Sequence, residues 1–320
     1  MDGSLKASRF DAEFIVVDDG SNDNTLAVLE DIREILHFPL LVIAQENQGR
    51  FLARWNAAQS ARSELLLILD SRVITHARSM EYLFEHLSPS PEAWNGHVIT
   101  DPQAALIGHF WTLPTFLFWS SYLSSPHPML ITPANFDRVP KGTTILMIPK
   151  QTFIEACVHA WPEGDARLVS DDTKVLRYVA DNIPLRLDPG FSATYIPRTR
   201  FRPFIKHSFD RGTLFVDSYA GTSPFRTVML FALGLIPPLL LLSMATLGLA
   251  GLWQPVGWLA ITCAVVLLLP AIVGVVKRVP PRAILSYLTY ILPFGVAFWG
   301  GIARGLTLHR RSLRLHSSGR

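Results

Sequence analysis

Carboxylates stand at the ends of several apolar runs of this chain, and such placement suits binding and catalysis. Asp18 and Asp19, and later Asp70, each follow a short apolar run, while Asp171 and Asp172 precede a stretch of helical spacing. Ligands of open α/β sheets bind outside the carboxyl ends of the strands, where these side chains would lie. Carboxylates there can hold a cation or take a proton from a substrate hydroxyl.

Turn and helix-capping residues follow Asp19. Gly20 permits a tight turn, and residues 21–25 contain Ser, Asp, Asn and Thr, any of which can cap the helix predicted over 26–36. On local grounds alone, Asp18 and Asp19 could equally be turn and cap residues.

Helical and apolar segments alternate through the first third of the chain. We predict strands over 14–17, 39–44 and 65–69, and helices over 50–61 and 77–87. Short uninterrupted apolar runs are typical of buried parallel strands, and their alternation with helices predicts a parallel-rich sheet with helices on both faces.

The C-terminal third has a different composition. Nine of the 29 Lys and Arg residues follow Asp217, and none of the 26 Asp and Glu residues does. Residues 227–253, 256–276 and 283–303 contain no charge, and each is long enough to cross a bilayer. We therefore divide the chain into a 1–225 domain and a 226–320 membrane domain with a basic tail.

Basic residues crowd the entry to the first span and the loop 277–282, so the positive-inside rule places both in the cytoplasm. The basic tail then requires either a re-entrant last segment or one exception to the rule. Cys157 and Cys263 are the only cysteines, and a bridge to the predicted span that holds Cys263 is implausible. This fits a reducing compartment for the 1–225 domain.

Three stretches together resemble family 2 glycosyltransferases. Residues 14–25 (FIVVDDGSNDNT) resemble the family's V-D-D-G-S-x-D-x-T element, 47–54 resemble N-x-G-x-x-x-A-R, and Asp70 begins a D-x-D-like triplet. The resemblance implies a Rossmann-like GT-A fold, in which Asp18 and Asp19 contact the base and ribose of a nucleotide sugar. Asp70 would contact the ribose or a metal.

Arg72 departs from that pattern, because the family has a second carboxylate there. The resemblance implies a divalent ion, Mg²⁺ or Mn²⁺, and Arg72 weakens that expectation. Either Arg72 faces the diphosphate, which a guanidinium suits, or it points into solvent.

The second half of the domain continues the resemblance. Residues 141–150 resemble the strand and turn that open the acceptor half, and Asp171 and Asp172 resemble the family's E-D element. The register implies that Asp172 is the general base and Asp171 its neighbour. A pair of N-cap residues is the alternative. Arg211 resembles an arginine that closes over the diphosphate, or else contacts lipid headgroups.

Two segments each have two possible interpretations. Residues 110–123 are too short and interrupted to span a membrane, and form either an interfacial helix or domain core. Thirteen residues precede Phe14, too few for the strand and helix that the resemblance implies before it. We therefore expect either an N-terminally truncated reading or a degenerate member of the family.

These observations predict a membrane-bound, inverting glycosyltransferase of hexosyltransferase type. It would move sugar from a nucleotide diphosphate to a lipid-linked or cell-envelope polysaccharide acceptor, at the inner or plasma membrane, with no nucleic-acid partner. The alternative is a catalytically degenerate scaffold with the same fold. The short N-terminus and Arg72 favour the scaffold, whereas the presence of both Asp70 and Asp172 opposes it.

Overall fold

The computed structural model describes residues 11–162, 164–170, 172–310 and 313. They form two compact units. The first contains the chain up to Pro102 together with Trp119–Pro197, and the second contains Gln103–Phe118 and the chain from Arg198 onward.

The first unit alternates strands and helices, as the sequence predicts. Its strands are β1 (Phe14–Asp19), β2 (Leu40–Gln45), β3 (Leu65–Leu69), β4 (Val73–Thr75), β5 (Ala93–Thr100), β6 (Met129–Ile131), β7 (Ile145–Pro149) and β8 (Leu185–Tyr195). The helices of this unit are α1 (Thr25–Arg33), α2 (Arg50–Ser60), α3 (Ser79–His86), α5 (Ser120–Leu123), α6 (Lys150–His159) and α7 (Thr173–Asn182). The helix α4 (Thr112–Phe118) lies in the second unit.

The strands pair in two sheets. β1 and β2 form a parallel pair, and the second sheet has the order β3-β7-β5-β8-β4, with β6 also pairing with β8. The longest pairing in the second sheet, β5 with β8, is parallel, while the shorter ones are antiparallel. The α/β fold class is confirmed, with a mixed sheet.

Helices cover both faces of the larger sheet. Alternate residues of β7 enter different clusters: Leu146 and Ile148 pack in a core that contains residues of α2, α6 and α7, whereas Met147 packs with Met80 and Leu83 of α3. Side chains alternate across a strand, so the two clusters lie on opposite faces. The layered architecture predicted from the alternation of elements is confirmed.

The strands β1 and β3 are less buried than their apolar sequences predict. Every residue of β3 is half-buried, and Asp18 is the one fully buried residue of β1. Among the described residues, β1 pairs only with β2 and β3 pairs only with β7, so each has an open edge. The expectation of fully buried strands is therefore wrong for both.

Long helices make up most of the second unit. They are α8 (Phe201–Tyr219), α9 (Pro224–Leu249), α10 (Trp253–Val276) and α11 (Pro281–Leu308). The last three are long and apolar enough to cross a membrane, with mean hydropathies of 2.3, 2.8 and 1.5. The three candidate spans predicted from the sequence are confirmed, with ends shifted by up to five residues.

Backbone-to-backbone packing joins α8 and α11. A Cβ added at Gly301 would lie 1.9 Å from the carbonyl oxygen of Phe209, and one added at Gly212 would lie 2.1 Å from that of Phe298. Thr213 Oγ1 donates to the Gly301 carbonyl at 3.1 Å. Small residues allow this close approach.

The segment 110–123 is divided between the two units. Phe110 and Leu113 are buried in a cluster with Phe204 and Tyr287 of the second unit. In the first unit, Tyr122 is buried in the core of the larger sheet. Neither predicted alternative describes the whole segment, because the chain passes from one unit to the other near Trp119.

Candidate active site

The turn after β1 begins the candidate site. Asp18 is only 5% exposed, and its Oδ1 accepts the backbone amide of Ser21 at 3.3 Å. In parallel α/β units, the carboxyl end of a strand is the edge at which ligands bind. Asp18 therefore has the position that the sequence predicts, and its contact with a nucleotide base stays a prediction.

Asp19 holds the following loop. Its Oδ1 accepts Gln45 Nε2 at 2.7 Å and the amide of Gln48 at 2.8 Å, and its Oδ2 accepts the amide of Gly49 at 2.8 Å. Gln45 Oε1 in turn accepts Asn56 Nδ2 at 2.7 Å. One carboxylate thus fixes the end of β2 and the start of α2.

Two glycines permit the close packing of this region. Gly20 has φ +78°, and a Cβ there would lie 2.9 Å from the amide nitrogen of Asn47. Gly49 has φ +90°, and its Cβ would lie 2.6 Å from the Cα of Arg167. The turn, the 47–49 loop and the segment around Arg167 are therefore in direct contact, although more than 100 residues separate the last two.

Asp70 and Arg72 follow β3. The Asp70 amide donates to the Thr144 carbonyl at 2.9 Å, and its half-buried carboxylate has no partner among the described residues. Arg72 is exposed, and its Nη1 is 3.4 Å from the Ile196 carbonyl oxygen. It lines a cavity of about 440 Å³ together with Ile74 and Ile196. The guanidinium therefore lacks a carboxylate partner in the described part of the chain.

The described residues do not build a metal site by themselves. They contain no group of three or more His, Cys, Asp or Glu side chains arranged to hold an ion. Asp70 supplies one carboxylate, and the cation Arg72 stands where the motif would place a second. Mg²⁺ can be held by one or two carboxylates with substrate phosphates, and the metal role of Asp70 stays a prediction.

Asp172 caps the helix α7. Its Oδ1 accepts the Thr173 amide at 2.5 Å, Thr173 Oγ1 at 3.0 Å and Ser170 Oγ at 2.8 Å. The cap expected from the sequence is present, and it fixes the carboxylate at the positive end of a helix. Its role as general base stays a prediction. Asp171, predicted as its neighbour in catalysis, lies outside the described residues.

Arg211 lies in the second unit, on α8. Its guanidinium is 5.5 Å from the centre of the Trp111 ring, and its Nε is 3.4 Å from His207 Nε2. The side chain is exposed. A phosphate contact by Arg211 stays a prediction.

A cluster of titratable residues that the sequence did not indicate lies beside the paired strands β5 and β8. His76 is 2.8 Å from Ser192 Oγ and 2.9 Å from Thr194 Oγ1, and Tyr122 OH is 3.4 Å from His97 Nδ1. Burial, and then the neighbouring His76, lower the pKa of His97. Burial also raises the pKa of Tyr122. Both shifts favour the neutral forms of His97 and Tyr122, which suits a polar structural core.

The segment 161–168 was also missed. Asp165 and Arg167 form a two-point ion pair, with Nη2 2.6 Å from Oδ2 and Nε 2.9 Å from Oδ1. Trp161 contacts the rings of Phe51 and Trp55. The sequence places these residues more than 100 positions from α2, so no local pattern indicates the contact.

Comparison with protein families identifies the N-terminal part of the chain. The model of the family described as "Glycosyl transferase family 2" matches residues 3–96, which include the Asp18–Asp19 turn, the 47–49 loop and Asp70. This segment, less than a third of the chain, is similar to family 2 glycosyl transferases. No curated protein sequence matches the chain.

Solved structures of glycosyltransferases are among the similar folds. A mannosyltransferase, PcManGT from Pyrobaculum calidifontis in complex with GDP-Man and Mn²⁺, shares 16% identity with a TM-score of 0.43, covering 96% of this chain and 79% of its own. TarS from S. aureus shares 18% identity with a TM-score of 0.40, covering 67% of this chain and 37% of its own. Likeness at this level does not extend to substrates or mechanism.

Proposed function

We propose that the chain transfers a sugar, with inversion, from a nucleotide diphosphate to an acceptor hydroxyl or phosphate. One observation carries the proposal. The Asp18–Asp19 turn lies within the family 2 segment and is packed, through Gly49, against the segment around Arg167. That segment leads within five residues to the capped carboxylate of Asp172. The segment that contacts the proposed donor-binding turn is therefore close in sequence to the proposed base, which supports their belonging to one site.

Asp172 is the general base in this proposal. As the acceptor oxygen attacks the anomeric carbon, its proton passes to the carboxylate of Asp172, a new C–O bond forms, and the bond to the diphosphate oxygen breaks. The nucleoside diphosphate leaves with the electron pair of that bond. Attack opposite the leaving group inverts the anomeric centre. General-base catalysis of this kind contributes about 10²–10⁴ in rate.

The turn after β1 provides the donor contacts in this proposal. Asp18 and Asp19 face the base and ribose in our proposal, and Asp19 also fixes the 47–49 loop through the bonds that it accepts from the amides of Gln48 and Gly49. Asp70 contacts the ribose. Its free carboxylate has remaining lone pairs for a sugar hydroxyl.

Charge on the leaving diphosphate must be neutralised. Arg72 is the described cation next to Asp70 and has no carboxylate partner, so we assign it to the phosphate oxygens, to which a guanidinium binds in two-point geometry. A divalent ion, when bound by Asp70, would supply the same neutralisation. The described donor set is too small to define such a site, and no step depends on it.

The acceptor and the cellular location are also part of the proposal. The three candidate spans indicate membrane association. We propose a multi-pass protein of the inner or plasma membrane, with the first unit in the cytoplasm and a hexose as the sugar moved. The acceptor would be lipid-linked or a polysaccharide of the cell envelope, and Arg211 would bind phosphate.

A catalytically degenerate scaffold is the alternative function. The observation that favours it is Arg72, which interrupts the carboxylate pair after β3. Asp172 opposes it, because its carboxylate remains in place on a helix N-terminus. The two functions differ in whether a nucleotide sugar is consumed.

A panel assay distinguishes them. The full chain in detergent is offered UDP-, GDP- and dTDP-hexoses, and nucleoside diphosphate release and binding are measured. We expect one donor to bind and to be consumed, and a product of inverted anomeric configuration by NMR. Asp18→Asn should weaken donor binding, while Asp181→Asn, an exposed position on the last turn of α7, serves as the matched control. Binding without consumption would support the scaffold, and absence of any binding would contradict glycosyl transfer.

A further inference from the structure

Trp161 is an exposed tryptophan held in a fixed position. It follows α6, its amide donates to the Val158 carbonyl at 3.3 Å, and its side chain is 47% exposed. In the same unit Trp94 is 1% exposed, and Trp55 and Trp119 are half-buried. A large aromatic side chain that is left partly exposed has surface available for another partner.

Two edge-to-face contacts fix the ring. The centres of Trp161 and Trp55 are 5.0 Å apart with an interplanar angle of 79°, and those of Trp161 and Phe51 are 5.7 Å apart with an angle of 83°. Phe51 is 2% exposed and belongs to the core. The ring therefore loses little conformational entropy when a ligand packs on it, which is the property of a binding platform.

The position of Trp161 relates it to the candidate site. Phe51 and Trp55 lie on the first two turns of α2, which begins directly after Gly49. Gly49 contacts both Asp19 and the backbone of Arg167. Trp161 therefore packs on α2, and Arg167, six residues later, packs on Gly49 at the start of the same helix. The proposed base, Asp172, follows Arg167 by five residues, which relates the indole to the residue that would activate the acceptor.

The chemistry of Trp161 and of the neighbouring Asp165–Arg167 ion pair suits a sugar ring. A pyranose has an apolar face of C–H groups and a rim of hydroxyls, so it needs a flat apolar surface with polar groups beside it. Trp161 supplies the surface. The exposed ion pair of Asp165 and Arg167, four and six residues further on, supplies acceptors and donors. An alkyl chain would gain nothing from that pair.

We propose that Trp161 is the stacking platform for a sugar ring of the acceptor. The inference rests on the proposed glycosyl transfer and adds to it that the acceptor presents a saccharide next to the hydroxyl that reacts. Arg167 and Asp165 bind hydroxyls of that same ring.

Binding of defined oligosaccharides tests this. The probes are cellotetraose, chitotetraose and mannotetraose, added to the full chain in detergent with nucleoside diphosphate present, and binding is followed by saturation-transfer NMR. At least one probe should bind. Trp161→Ala should weaken its binding about tenfold, because tryptophans at the centre of a contact dominate its affinity. Trp161→Phe should retain most of it.

Controls separate this inference from the proposed function. Val158→Ala, at a 58% exposed position three residues earlier, should leave oligosaccharide binding unchanged. Nucleoside diphosphate affinity and thermal unfolding should be the same in parent and Trp161→Ala. If the nucleotide binds but no probe does, or if Trp161→Ala binds the probe as well as the parent, the platform is contradicted while glycosyl transfer stands. If no nucleotide binds, the proposed function itself fails.

Discussion

The backbone amide of Gly49 donates to Oδ2 of Asp19 across 2.8 Å, and this bond joins the end of β1 to the start of α2. The other carboxylate oxygen accepts the side-chain amide of Gln45 at the end of β2 and the backbone amide of Gln48 in the loop. Hydrogen bonds to an ionised acceptor are stronger than those between neutral groups. The turn proposed to face the donor is therefore fixed by the Asp19 carboxylate, which accepts three hydrogen bonds from within the protein.

Gly49→Ala should damage this turn. Its φ of +90° is unfavourable for alanine, and the new Cβ would lie 2.6 Å from the Cα of Arg167, which is backbone and cannot rotate away. We expect the free energy of unfolding to fall by about 1–3 kcal/mol. Thermal unfolding in detergent measures this. Gly142→Ala is the control, because its nearest neighbour would be 3.6 Å away. Equal stability of the two variants would contradict the close contact.

Arg72→Asp should make nucleotide binding depend on metal. The parent has one cation and one carboxylate after β3, and the variant would have a carboxylate pair that can hold Mg²⁺. Calorimetry with the donor's nucleoside diphosphate should show a parent affinity unaffected by chelator, and a variant affinity that rises at least tenfold with Mg²⁺. Arg78→Asp, at an exposed position, is the control. A parent that loses all affinity in chelator would refute the phosphate role of Arg72.

His97 should make the first unit less stable in mild acid. Burial and His76 lower the pKa of His97 below 6.5, so the unfolded chain binds more protons than the folded chain below about pH 6.5. Its contribution is present above that pH and is lost as the pH falls toward the folded-state value. We expect the melting temperature to drop between pH 7.5 and 5.5, and His97→Gln to reduce the drop. The same pH dependence in His97→Gln would assign the effect to other groups.

Gly301→Ala should disrupt the second unit. The added methyl would lie 1.9 Å from the carbonyl oxygen of Phe209, so α8 and α11 would have to separate. We expect a loss of roughly 1–3 kcal/mol or more in stability, seen as faster proteolysis of the detergent-solubilised chain. Gly295→Ala, on the same helix with no atom within 4 Å, should match the parent. Equal proteolysis rates would show that this packing is looser.

The sequence predicted most helices and strands because the spacing of apolar residues and the turn residues between elements are local features. The alternation of apolar runs with helical spacing predicted β1, β2 and β3 and the helices α1, α2 and α3 within a few residues, but not the short strand β4. The three long segments without charged residues predicted all three candidate membrane spans. It did not predict the half-exposed β3, because burial of a strand depends on which distant strands lie beside it.

In the candidate site, too, the sequence predicted local features and missed contacts between distant residues. Asp18, Asp19, Asp70 and Asp172 stand at the strand ends and helix start that the sequence predicts. The contact of Gly49 with Arg167 joins residues 118 positions apart, and a single sequence carries no signal for it. The aromatic support of Trp161 by α2 was missed for that reason.

Asp172→Asn tests the central claim most directly. The Oδ1 of asparagine can accept the bonds from Thr173 and Ser170, and asparagine caps helices as well as aspartate does. The variant should therefore keep its melting temperature and its donor affinity while losing the base. We predict a fall in turnover of about 10²–10⁴, with Asp181→Asn unchanged. Turnover near that of the parent would contradict the account.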